Sequence, residues 1–134
     1  MRKMRVIGLG VILLGAFAVG GCFLFPNRPP VAEFEAIYNQ DPEDPLVVVL
    51  DASASSDPDG DETIVWYWWN FDEDVEIISP LVYTNKIPEE TVTVRYPVEG
   101  TYWPTLAVED EGGKISETVQ QELILPNEEV EPTE

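Results

Sequence analysis

From Val31 to Leu125 short runs of β-branched and aromatic residues alternate with Pro, Gly, Asp and Asn, and no 3.6-residue apolar period is sustained. Runs of that length and composition read as strands bounded by turns. The pattern predicts strands at Val31–Ile37, Leu46–Asp51, Ile64–Phe71, Glu76–Tyr83, Thr91–Tyr96, Thr101–Glu109 and Ile115–Leu125. About seven short strands in one domain fit an all-β, immunoglobulin-like β-sandwich with essentially no helix.

The aromatic run Ile64–Phe71 sets the faces. Side chains alternate across a strand, so Tyr67, Trp69 and Phe71 share one face and fill the space between the sheets. Trp66, Trp68 and Asn70 are then forced outward. By the same parity Tyr102, Leu106 and Val108 point inward and Trp103 outward. The third and sixth strands of such a sandwich are neighbours in one sheet, so Trp66, Trp68 and Trp103 are expected on one outer face. An exposed aromatic platform marks a binding surface, with flat rings for a sugar or anchors for a protein. Pro104 lies inside an expected central strand, where a missing N–H predicts a bulge or a local break in pairing.

Before the strands the pattern is different. Met1–Arg5 is basic, Val6–Val19 is almost wholly apolar, and Val19-Gly20-Gly21-Cys22 follows. An apolar run of this length is a signal-peptide core and is short for a membrane-spanning helix. The ending resembles a bacterial lipobox, which implies cleavage before Cys22, lipidation of Cys22 and anchoring of an exported protein in a membrane. Phe23 in place of Asp after the cysteine implies an outer-membrane or cell-surface destination. The organisation expected is therefore a signal peptide over 1–21, a lipidated and Pro-rich tether over 22–30, a sandwich over 31–125 and an acidic disordered tail over 126–134.

Punctuation within the sandwich is more specific than strand count. The chain reads PPVAEFEA at 29–36, LDASASSDPDGD at 50–61, IVWYWWNF at 64–71 and YPVEGTYWPTLAVEDEGG at 96–113. This order and spacing resemble the PKD (polycystic kidney disease) domain of bacterial surface proteins. Asp72-Glu73-Asp74 stands where that family has a Gly-Asp-Gly turn, so the turn must differ here. Some PKD-like domains hold calcium, and the resemblance carries that role to Asp57, Asp59 and Asp110, with Asn27 as a looser match. Alternate carboxylates on a tight turn suit a hard cation with many oxygen ligands, and also suit a solvated turn.

Composition narrows the function. There are 26 acidic and 7 basic residues, no His and one Cys, for a net charge of −19. Residues 22–134 hold all 26 acids and only Arg28, Lys86, Arg95 and Lys114 as bases, a balance of −22. Nucleic acid is excluded as a partner, because binding a phosphate backbone relies on Lys and Arg. Without His there is no imidazole base or metal ligand. Adjacent acids (Glu89-Glu90, Glu109-Asp110-Glu111, Glu128-Glu129) resemble glycosidase carboxylates only superficially, since those act across a cleft that a small sandwich lacks. The expectation is a non-enzymatic, lipid-anchored envelope protein that binds a polysaccharide or another envelope protein. A spacer or assembly subunit and a calcium-stabilised adhesion module are the alternatives.

Overall fold

The computed structural model describes residues 27–60 and 63–127. The expected signal peptide, Cys22 and the acids of the expected tail from Glu128 onward lie outside these residues.

Ten strands and no helix make up the described chain: β1 (Glu35–Ile37), β2 (Val47–Asp51), β3 (Ile64–Asn70), β4 (Glu76–Ser79), β5 (Lys86–Ile87), β6 (Thr91–Arg95), β7 (Gly100–Tyr102), β8 (Thr105–Asp110), β9 (Val119–Gln120) and β10 (Leu123–Leu125). One antiparallel sheet has the order β1-β2-β6-β4, a second has β5-β3-β8-β9, and β10 pairs with β7 as a ribbon. The sandwich expected from the sequence is present, with some strands divided differently. The expected Glu76–Tyr83 strand is only four residues long. The chain then crosses to the opposite sheet, where β5 pairs Lys86 with Trp68 and Ile87 with Tyr67. Pro104 does break its strand. β7 stays with β10, while β8 pairs with β3 from Asn70↔Thr105 to Ile64↔Asp110. The last expected strand is also divided, into an isolated Glu109↔Ile115 bridge, β9 and β10.

The core has the composition that the period-two pattern requires. Val48, Leu50, Val92 and Val94 from one sheet meet Tyr67, Trp69, Ile87, Leu106 and Val108 from the other, all buried. Trp69 is the largest fully buried side chain. The Phe34 ring meets it edge-on at 5.1 Å and 83°, and Phe71 stacks parallel at 6.0 Å. Burial of each such side chain stabilises the fold by roughly 1.5–3 kcal/mol.

Two buried tyrosines tie loops to this core. Tyr96 donates its hydroxyl to the Phe71 carbonyl at 2.8 Å, and Tyr102 donates to the Val98 carbonyl at 2.7 Å. Their rings lie 4.2 Å apart. Burial, with Asp72 and Tyr102 nearby, pushes the Tyr96 phenol far above its ordinary value, so it stays a donor at any physiological pH.

The Asp72-Glu73-Asp74 turn forms without the family's glycines. Asp72 adopts φ +69° and accepts the Trp103 N–H on its carboxylate at 2.9 Å, while its own N–H donates to Asn70 Oδ1 at 3.0 Å. Asp tolerates the left-handed region because its short polar side chain bonds to nearby backbone.

Candidate functional site

The outer face of β3 carries the aromatic side chains. Tyr67, Trp69 and Phe71 are buried, and Trp66 and Trp68 are partly exposed on the other side of the strand. A register shift between Ile64 and Trp66 marks a bulge at the start of β3; from Trp66 onward the pairing with β8 is regular. That regularity holds the two indoles on one face, about 7 Å apart along the strand.

Lys86 comes from the neighbouring β5, where it pairs with Trp68. Its ammonium lies 4.4 Å from the Trp66 ring centroid and 4.7 Å from that of Trp68. A partly exposed contact of this kind contributes roughly 0.5–1 kcal/mol. On the other side Trp68 donates its indole N–H to Glu109 Oε1 at 2.9 Å. Glu109 pairs with Trp66, and the small Ala107 pairs with Trp68, leaving the flank of that ring uncrowded. The result is two oriented indoles between a cation and a carboxylate.

Trp103 is set apart. It is 45% exposed, but it lies outside the β3–β8 ladder, next to Pro104 where the strand breaks. Continuing the register places it opposite Asp72, which its N–H contacts. That is four positions, or about 13 Å, along the strand from Trp68. The structure thus brings together two of the three expected indoles. It adds Lys86 and Glu109, which the sequence reading did not include in the face. Lys86 was not legible because it lies on a two-residue strand after a sheet crossing, where no alternation exists to read.

A second exposed apolar group lies at the end of β4 and on the loop that leads to β5. Leu81 is 88% exposed and Tyr83 fully so, with Ile78 nearby in sequence.

The acidic residues expected to hold calcium have other occupants. Asp57 is buried; one carboxylate oxygen accepts the Asp59 N–H at 2.8 Å, and the other accepts a close hydrogen bond from the Thr63 hydroxyl. Asp59 is paired with Arg28, which donates its backbone N–H at 2.6 Å and its Nε at 3.0 Å. The Arg28 amide first, and its guanidinium with it, outweigh the effect of burial and hold the Asp59 carboxyl below its ordinary value. Asp110 is buried at the end of β8, where the following turn folds over it. It accepts from Asn27 Nδ2 and from the Lys114 amide, both at 2.8 Å. Burial alone would raise its pKa, but the amides of Lys114, Gly112 and Gly113 and the Asn27 side chain together hold it low. Among the described residues no three acidic, His or Cys side chains converge as a metal-binding group. Asp59 and Asp110, through Arg28 and Asn27, fasten the start of the domain to its loops. Of the adjacent acids, Glu109 and Asp110 lie on opposite faces of β8, Glu109 outward and Asp110 inward.

The profile of the PKD domain family matches residues 27–124. No curated protein matches by sequence. Among solved structures, the PKD1 domain of Vibrio anguillarum Epp is 26% identical with a TM-score of 0.53, over 74% of this chain and 95% of that one. The PKD1 domain of the Vibrio cholerae metalloprotease PrtV is 31% identical with a TM-score of 0.51, over 72% of this chain and 96% of that one. A structure from a study of promiscuous carbohydrate-binding modules of the β-sandwich superfamily is 31% identical with a TM-score of 0.54. It is matched over 75% of this chain but only 35% of that one.

Proposed function

The chain belongs to the PKD domain family, and from that premise we propose that it is a non-catalytic carbohydrate-binding protein of the bacterial cell envelope. In this reading Cys22 is lipidated and holds the protein at the outer membrane or cell surface, as the basic, apolar and small-residue sequence before it suggests. The Pro-rich tether keeps the domain near that membrane. The outer face of β3 meets the polysaccharide.

One observation carries the proposal. Trp66 and Trp68 stand side by side, partly exposed, with Trp68 oriented by its hydrogen bond to Glu109. A spacer has no use for two oriented indoles at its surface, where apolar rings in water are costly unless a partner covers them. Flat, fixed aromatic faces suit sugar rings, whose C–H edges stack on them. Similarity to the carbohydrate-binding β-sandwich structure supports the same reading.

The test is retention of the full-length protein, in non-ionic detergent, on insoluble peptidoglycan, chitin and cellulose. The proposal predicts retention on at least one of them and loss of at least tenfold in affinity for the Trp66→Ala/Trp68→Ala double variant. Equal retention of the natural and doubly substituted proteins, or retention of neither on any of these, would overturn it.

A further inference from the structure

The indole pair already has an occupant. One ammonium, that of Lys86, is shared by the Trp66 and Trp68 rings at 4.4 and 4.7 Å. The carboxylate of Glu109 stands beside Trp68 and accepts its indole N–H. Among the described residues Glu109 takes part in no salt bridge; the two present join Arg28 to Asp59 and Arg95 to Asp44. Two electron-rich ring faces beside a carboxylate that has no cation of its own form a surface that favours positive charge.

Resting on the carbohydrate reading above, we infer that Lys86 occupies the place of the ligand's charged group, and that the glycan bound here carries ammonium groups. The ligand class is a polysaccharide containing deacetylated amino sugars. The three possible ligand charges are not equivalent at this surface. A neutral sugar that stacks on both rings must expel Lys86 and supplies no charge in its place. An anionic sugar gains Lys86 as a partner, yet it must approach a chain of net charge −19 and lie next to Glu109. An ammonium-bearing sugar replaces Lys86 in kind: its cation takes the ring faces and the neighbouring carboxylate, and the flexible Lys86 side chain moves into water. The field of the whole protein draws such a ligand in and falls off with added salt.

Lys86 is then a built-in competitor, which gives its substitution a distinctive sign. Calorimetric titration of the full-length protein in non-ionic detergent, at pH 5.5 and low salt, would use hexamers of glucosamine, N-acetylglucosamine and galacturonic acid. The glucosamine hexamer is expected to bind at least tenfold tighter than the other two. Lys86→Gln should raise its affinity threefold or more, and Trp66→Ala/Trp68→Ala should remove it. If the neutral hexamer binds as tightly as the cationic one, with dependence on both tryptophans, the carbohydrate reading stands and the charge assignment fails. If galacturonic acid binds best and Lys86→Gln abolishes it, Lys86 is a ligand contact rather than a competitor, and the inference is overturned. Hexalysine binding equal to that of the glucosamine hexamer would show that ammonium is recognised without a sugar, which overturns the glycan class. If no hexamer binds better than it does to the double Trp variant, the inference is overturned, and retention on peptidoglycan, chitin or cellulose decides the carbohydrate reading separately.

Discussion

Asp72 shows how a single residue can replace a family solution. At φ +69° it occupies a backbone region that most side chains avoid, and its carboxylate takes the Trp103 N–H just before the chain bends at Pro104. Removing the carboxylate leaves both the conformational cost and an unpaired amide. Asp72→Ala should therefore destabilise the protein by about 1–3 kcal/mol, and Asp72→Gly by less because it relieves the backbone. Denaturant unfolding of the two variants checks this; equal stability of Asp72→Ala and the natural protein would contradict it. From sequence alone the departure at 72–74 was visible, but the manner of its resolution was not. The partner, Trp103, is 31 residues away, and only the fold brings the two together.

At the scale of elements, alternation made the long strands legible. β3, β6 and β8 have the faces that parity assigns, because a one-residue slip would put Tyr67 and Trp69 in water and the surface residues in the core. The short elements were not legible. Two residues, as in β5 or β9, cannot display a period, and their place follows from neighbours distant in sequence. The turn after β8 shows the same dependence. Asn27 reaches Asp110 across 83 residues, and the absence of a side chain at Gly112 leaves the room, since a methyl there would lie 2.7 Å from Asn27 Nδ2. The Asp110 carboxyl is held below its ordinary value of 3.8. A depressed carboxylate pKa stabilises the fold above the unfolded value, and that stability disappears as pH falls through the folded one. Asp110→Asn cannot ionise. The stability gap between it and the natural protein should thus be widest near neutrality and narrow as pH drops below about 4. Thermal melts from pH 7 to pH 3 test this, and a gap independent of pH would contradict it.

Over the whole molecule, charge and aromatic surface act together. The acids outnumber the bases by 19, and the described basic side chains with an assigned contact are each already engaged: Arg28 by Asp59, Arg95 by Asp44 and Lys86 by two indoles. The architecture and the outward direction of Trp66 and Trp68 could be read from the sequence, because both follow from the strand period. The grouping around them could not. Trp103 drops out through the strand break, and Lys86 enters through a sheet crossing. The loop that carries Leu81 and Tyr83 is the competing exposed apolar surface.

The central claim concerns which indoles meet the ligand, and the indole N–H resonances of the four tryptophans report this directly. In a ¹H–¹⁵N spectrum of the full-length protein titrated with glucosamine hexamer, the signals of Trp66 and Trp68 should shift together with saturation. Those of buried Trp69 and distant Trp103 should stay in place. Shifts confined to Trp103 or to the amides of residues 81–83, or no saturable shift at Trp66 and Trp68, would contradict the account.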